Sequence, residues 1–336
     1  MVRAAPEFRN PKKAESLYGW GLAGMKWTVA IFSSRETLDT LSSSIDAALV
    51  GTSQADTTID VIVNGNRILA EEAGSYLRSV RPMGRASTLL RAWYVPVADK
   101  AHAWNQYLHE IWPESDIGYF IDGYVQVMPD ALKMIWEGLA AAPRAIAASG
   151  VPTMGRSARA LREGLLSEGG VHGNLYALRG STMAQLQTMQ FRLPLGIYRT
   201  DPLLIAVICF GLDPSRNEWD VSRILVHPQA TWRFRPLNWW SPRDLRSHFN
   251  RAIRQAQGAL ENLAVRDHLA VQKKSPESLP RTTSELVGNW VSNLPETARR
   301  TFVRNPLCFL AARNLRRARD WSQTKTSPQL VAQISL

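Results

Sequence analysis

The chain has 336 residues, 45% of them hydrophobic and 21% charged. That suits a globular protein with a sizeable core and excludes a disordered, collagenous or coiled-coil one. Lys and Arg number 40 against 29 Asp and Glu, a formal charge of +11, so an anionic partner is expected: nucleic acid, a phosphorylated small molecule or a negatively charged membrane surface.

Residues 1–25, with Pro6, Pro11 and the Gly19, Gly21 and Gly24 cluster, read as an irregular leader. Residues 27–32 (WTVAIF) are apolar and β-rich, the signature of a buried strand. Leu38, Leu41, Ile45, Ala48 and Leu49 then recur every three or four residues, which predicts an amphipathic helix over 36–50. A second strand over 59–63 (IDVIV) closes on the turn Asn64-Gly65-Asn66, and a helix follows over 68–77. The third strand is 92–97 (AWYVPV), with Pro96 outside the ladder. A helix over 100–111 leads to a fourth strand, 117–121 (IGYFI). Pro129 opens a helix to residue 139, and a fifth strand covers 145–148. This alternation argues for a parallel α/β sheet.

Beyond Gly150, helices over 161–166 and 182–189 flank a strand over 173–178. A buried helix over 202–210 and a strand over 221–226 come next. From Arg243 the chain reads as helical and Arg-rich, broken by Pro276, Pro280, Pro295 and Pro306. The domain reading is a leader over 1–25, an α/β domain over 26–242 and a basic helical extension over 243–336. Cys209 and Cys308 sit in apolar runs without metal or redox spacing and read as core residues in a reducing compartment. No stretch approaches the roughly 20 apolar residues of a bilayer crossing. The basic start lacks the apolar run of a secretory signal, so a cytoplasmic protein is expected.

In an open parallel sheet, ligands collect beyond the carboxyl ends of the strands. Those ends carry Ser33, Ser34, Arg35 and Glu36; then Asn64, Gly65 and Asn66; then Asp122, Gly123 and Tyr124. There is no GxGxxG fingerprint and no GxxxxGK[ST] loop, which disfavours NAD enzymes and P-loop ATPases.

Four segments carry a resemblance: VAIFSSRETL, IDVIVNGN, KAHAWNQYLHE…IGYFIDGYVQVMPDAL, and GNLYALRGSTM followed by YRTDPLL. In that order, over about residues 27–227, the chain resembles a glycosyltransferase of the GT-A fold, similar to the large bacterial family 2. The resemblance implies a Rossmann-like, mostly parallel central sheet flanked by helices. It also implies an inverting transfer of sugar from a nucleotide donor, with UDP the expected carrier, to a glycan or lipid-linked glycan in polysaccharide biosynthesis.

By the same resemblance Asp122 binds the nucleotide sugar through a divalent cation (Mn or Mg) or the ribose. Tyr124 stands where the family has the second Asp of its Asp-x-Asp motif, and a phenol is a poor ligand for a hard cation. Asp122 therefore shares a metal with a later residue, for which His227 is the candidate, or basic side chains stabilise the leaving group without one. Asp201 aligns with the catalytic base, although Asp before Pro202 also reads as an ordinary helix start. Ser33, Glu36, Asn64 and Asn66 align with nucleotide contacts, and on backbone grounds are caps and turn residues. Lys100 and Asn105 align with contacts to the diphosphate or base.

Arg179 with Trp232, Trp239 and Trp240 reads as an acceptor groove or as packing. His102, His109, His172, His248 and His268 show no ligand spacing. The arginines beyond residue 298 lie near apolar Phe302, Leu307, Phe309, Leu310 and Leu315. That reads either as a solvated helical face packed on the α/β domain or as a basic amphipathic stretch of the kind that lies on anionic lipid, so the inner face of a membrane is a candidate location. Two alternatives stand beside the enzyme reading. One is a GT-A-like binding subunit without catalysis, favoured by Tyr124. The other is a nucleic-acid-binding protein, against which no binding motif is recognisable, so no nucleic acid is expected.

Overall fold

The computed structural model describes residues 24–82, 86–153, 158–234 and 244–336, the side chains of 244–251 excepted. The first half runs β1 (Lys26–Ser33), α1 (Leu38–Gly51), β2 (Asp56–Asn64), α2 (Arg67–Ser79), β3 (Thr88–Val95), α3 (Lys100–Gln106), β4 (Ile117–Asp122) and β5 (Val125–Val127). It continues with α4 (Ala131–Ala141), β6 (Ala147–Pro152), α5 (Ala158–Glu168), β7 (Leu175–Arg179), α6 (Gly180–Thr188), α7 (Thr200–Cys209) and β8 (Ile224–Phe234). The C-terminal part holds α8 (Asp244–Arg266), α9 (Thr283–Asn293), α10 (Pro295–Arg304), α11 (Pro306–Leu315) and β9 (Gln329–Ser335).

Among the described residues the strands form one nine-stranded sheet in the order β5-β8-β6-β7-β4-β1-β2-β3-β9. Strands β3, β2, β1 and β4 are parallel neighbours, and β8 is parallel to β6. Strand β7 is inserted antiparallel between β4 and β6, while β5 and β9 close the two edges antiparallel. The chain leaves β1 towards β2 and β3, then returns to β4 on the other side. That reversal opens a crevice beyond Ser33 and Asp122, where an open α/β sheet takes its ligand.

Both faces of the sheet are covered, so β1 reads as a continuous apolar run rather than an alternating one. Val29 and Ile31 pack with α1, α2 and α4, through Leu41, Ala73 and Ile135. Ala30 and Phe32 pack on the opposite side with Trp104 of α3, Met183 of α6 and Leu204 of α7. An aromatic stack runs through this second layer, with Phe32 against Phe120 (ring centroids 6.4 Å apart) and Phe120 against Tyr176 (4.7 Å). Leu260, Trp290 and Cys308 of the C-terminal helices belong to the same layer, so those helices extend this core. Cys209 and Cys308 are both buried, as their apolar settings predict.

Three expectations change. Strand β3 begins at Thr88, ahead of the expected residue 92, because Arg91 interrupts the apolar pattern while its guanidinium serves the core. Asp60 on β2 is fully buried and accepts from Arg91 Nε (2.7 Å) and Nη2 (2.9 Å) and from Trp93 Nε1 (2.8 Å). Burial pushes the Asp60 carboxyl upward, and these donors offset part of that. Strand β8 starts at Ile224 and runs to Phe234, displaced from the expected 221–226; a single turn covers Val221–Arg223. Lastly, the chain does not stay helical to its end. Residues 329–335 return as β9 on the β3 edge, with Ala332 buried and its neighbours largely exposed. An edge strand with one half-covered face carries too few apolar residues to announce itself.

The domain boundary expected between 242 and 243 lies outside the described residues, as do Trp239, Trp240 and residues 1–23 of the leader. No helix of the described residues is long and apolar enough to cross a membrane.

Candidate functional site

The crevice is built from the loops at the carboxyl ends of β1, β2 and β4, the start of β7, and the first turns of α3 and α7. After β1 the chain folds around Glu36, whose Oε2 accepts from Ser33 Oγ (2.7 Å), Ser34 N (2.7 Å) and Arg35 N (3.0 Å). Burial alone would raise this carboxyl, but the donors outweigh it and hold the group below the usual range. Ser34 Oγ then donates to Asn64 O (2.9 Å), tying the β1 loop to the β2 loop. Gly65 takes a left-handed conformation (φ 72°), and a Cβ there would lie 2.3 Å from that of Ala98, so only glycine fits the turn. Asn66 caps α2 through Leu69 N (3.1 Å). With its amide oriented to satisfy both neighbours, Asn64 donates to Ser33 O and accepts from Asp99 N. Ser33, Glu36, Asn64 and Asn66 are thus brought together at the rim, each engaged in shaping it.

Asp99 caps α3 by accepting from His102 N (2.8 Å), which sets Lys100 at the helix start. The Lys100 ammonium pairs with Asp122 Oδ1 at the end of β4. The other oxygen, Asp122 Oδ2, is 3.1 Å from the Tyr124 hydroxyl, which also lies 2.9 Å from Asn174 Oδ1. Gly123 between them packs so closely on Ser33 that a Cβ would come within 2.8 Å of that of Ser33, which locks the β4 end to the β1 loop.

Because β7 is antiparallel to β4, its first residues meet this rim, with Leu175 opposite Ile121. The backbone N–H of Gly173 donates to Asp201 Oδ2 (3.0 Å), in the first turn of α7, and Thr200 Oγ1 donates to Asp201 Oδ1 (3.1 Å). Helix α7 is capped at Arg199, two residues ahead of the Asp-Pro start expected from sequence. A Cβ on Gly173 would lie 2.9 Å from Asp201 Oδ1 and 3.4 Å from Lys100 Nζ. The carboxylate of Asp201 and the ammonium of Lys100 therefore border one point in space, and Asp122 touches the same ammonium.

The charges bear this out. Burial favours the neutral form of Lys100, yet Asp122, Asp201 and Glu36 outweigh it and hold the ammonium above the ordinary lysine range. Burial raises the Asp122 carboxyl and Asp201 raises it further, while Lys100 only partly compensates. Burial and the Asp122 carboxylate likewise hold the Tyr124 hydroxyl well above its usual value.

His172, dismissed on sequence spacing, is part of this cluster. Its ring stacks on Trp232 (5.4 Å), and burial lowers its pKa although Asp201 and Asp122 pull it upward. Its position just before the β7 start could have pointed to it, had the antiparallel placement of β7 been legible.

Three expected site residues are placed elsewhere. Asn105 is buried and donates to Leu193 O (2.9 Å) while accepting from Leu193 N (2.8 Å), so in this structure its amide brackets the loop at Leu193. His227 Nδ1 accepts from Gln229 N (3.3 Å) and Ala230 N (3.1 Å), and its ring lies against Gly138 of α4, away from Asp122. Arg179 ends β7 at the opposite end of the strands, beside Ile117 at the start of β4, where it donates to Ala145 O, Leu139 O and Ala142 O and closes the end of α4. Trp232 is fully buried and offers no exposed face to a sugar.

Asp122 Oδ1 is paired with the Lys100 ammonium and Oδ2 accepts from the Tyr124 hydroxyl, so a divalent cation there would compete with Lys100. Among the described residues no three His, Cys, Asp or Glu are grouped to hold a metal.

No protein-family model matches this chain, and no curated protein matches it. Solved structures do. The mannosyltransferase PcManGT from Pyrobaculum calidifontis, in complex with GDP-Man and Mn2+, is 14% identical with a TM-score of 0.51, over 86% of this chain and 84% of that one. The fold is the GT-A glycosyltransferase fold. Glucosyl-3-phosphoglycerate synthase from Mycobacterium tuberculosis, in complex with phosphoglyceric acid, is 17% identical over 78% of this chain and 88% of that one, with a TM-score of 0.43.

Proposed function

We propose that the chain is an inverting glycosyltransferase that moves a sugar from a nucleotide donor, UDP-linked in the first instance, to a glycan or lipid-linked glycan in polysaccharide biosynthesis. One observation carries the reading: Asp122, Lys100 and Asp201 converge on a single crevice, with Gly173 bordering both Lys100 and Asp201. In the proposed transfer, Asp201 accepts the acceptor hydroxyl's proton as its oxygen bonds the anomeric carbon. The bond from that carbon to the diphosphate oxygen breaks, and the electron pair leaves with the nucleoside diphosphate. An ammonium beside the phosphates offsets the charge that builds there, and Lys100 is the residue we assign to this role. Asp122 holds Lys100 in place and faces the ribose or phosphates, and the Ser33, Glu36, Asn64 and Asn66 rim receives the nucleoside. The parent fold's partner PcManGT carries Mn2+, and a donor-bound cation in this chain would have to displace Lys100 from Asp122.

The test is release of nucleoside diphosphate from a panel of UDP- and GDP-sugars. Asp201→Asn keeps an oxygen for the Gly173 N–H and removes the base, so turnover should fall about 10²–10⁴-fold with the melting temperature unchanged. Retained turnover would remove Asp201 from the role. A second reading, a GT-A chain that binds donor without turnover, draws on the mutual neutralisation of Lys100 and Asp122. Thermal stabilisation by UDP or GDP in a chain that releases none from any sugar would select it. Running the same titration with and without manganese decides whether a cation takes part.

A further inference from the structure

Helices α10 and α11 present an apolar ridge that none of the described residues covers. Val303 is 74% exposed and Phe309 55%, and both line a groove of about 600 Å³ walled almost wholly by carbon. The helices are held in place by their other sides: Ala298 of α10, and Cys308, Ala311, Ala312 and Leu315 of α11, are buried in the core. Val303 and Arg299 are one turn apart on α10, as are Phe309 and Arg313 on α11, so each exposed apolar residue shares its stripe with an arginine. Over residues 297–319 there are seven arginines, no lysine and no acidic residue. All seven are exposed, and none forms an ion pair with a described residue.

We infer that this ridge docks on an anionic lipid surface, with Val303, Phe309 and Leu310 entering the acyl boundary and the arginines meeting the headgroups. Charge complementarity selects that occupant. A second copy of the chain would set two arginine clusters against each other, and a nucleic acid would leave the apolar residues in water. A bilayer of acidic lipid accommodates both features at once. The arginine run then leads along residues 316–319 to Gly196, which Arg319 approaches and whose N–H donates to Asp99 at the start of α3. Docking by this ridge does not depend on whether the crevice turns over a donor.

The experiment is sedimentation of the full chain with vesicles of phosphatidylglycerol and phosphatidylcholine in equal parts, against vesicles of phosphatidylcholine alone. The expected result is binding to the acidic vesicles at least about tenfold tighter than to the neutral ones, weakening as salt is raised. Val303→Glu with Phe309→Glu should weaken binding about tenfold or more. Arg299→Gln with Arg313→Gln should weaken it while flattening the salt dependence. All four positions are exposed, and circular dichroism and melting temperature confirm that the variants fold. Equal affinity for the two vesicle types overturns the inference, as does unchanged binding by both folded double variants. So does binding of duplex DNA by a chain that ignores the acidic vesicles.

Discussion

Lys100 faces the carboxylates of Asp122, Asp201 and Glu36, so its ammonium is the charge on which the crevice is organised. If it meets a diphosphate, Lys100→Met should weaken nucleoside diphosphate binding by about tenfold or more, read by titration calorimetry. Unchanged affinity would leave Lys100 with only its structural pairing. Tyr124 is a different case. Its hydroxyl reaches both Asp122 and Asn174, so it holds the carboxylate's second oxygen and links β4 to the β7 start. Asp122 and Asp201 were legible as residue types at strand and helix ends. Their shared border with Lys100 was not, since it arises where three loops distant in sequence converge. The reassignment of Asn105 follows the same logic: its buried amide is fixed by donating to and accepting from the Leu193 backbone, a partner 88 positions away that no local pattern announces.

At the scale of elements, β9 is the piece whose removal should be felt most. It covers the β3 edge in an antiparallel ladder from Leu89↔Ser335 to Tyr94↔Gln329. It also packs on α2, where a Cβ on Gly74 would lie 3.0 Å from Val331 Cγ1. Truncation after residue 328 strips a ladder from β3 and leaves a bare edge, which invites pairing between molecules. The expected outcome is a lower urea midpoint and concentration-dependent aggregation by light scattering; a monomeric chain with an unchanged midpoint would make β9 dispensable. Strands β1, β2 and β4 were readable because burial on both faces makes them continuous apolar runs. Strands β5 and β9 were not, and of β8 only the first residues were, because these strands are short, irregular or half-exposed and owe their conformation to the neighbours they pair with.

For the whole molecule, pH stability should carry the mark of a buried neutral histidine. Burial, with Arg192 and Arg281 adding to it, brings His102 down to about 4 from 6.5. A pKa depressed in the folded state means that His102 contributes its full stability above about 6.5 and loses it as pH falls towards 4. The loss approaches about 3 kcal/mol at the acid end of that window. Urea denaturation of the wild type and of His102→Gln near pH 7 and pH 4.5 should show a smaller acid loss in the variant. Equal losses would place the acid sensitivity elsewhere.

The sequence by itself determined the α/β class, the order of the first strands and helices, the burial of both cysteines and the excess of positive charge. Each of these is local, written in periodicity, turn residues or composition, which survive without knowledge of distant partners. Only the tertiary structure decided which way β7 runs, that the last residues return to the sheet, that His172 joins the crevice and His227 does not, and that Lys100 sits between Asp122 and Asp201. Those outcomes depend on which segments meet after the chain has crossed the sheet, and a contact between residues a hundred positions apart leaves no periodic trace in either.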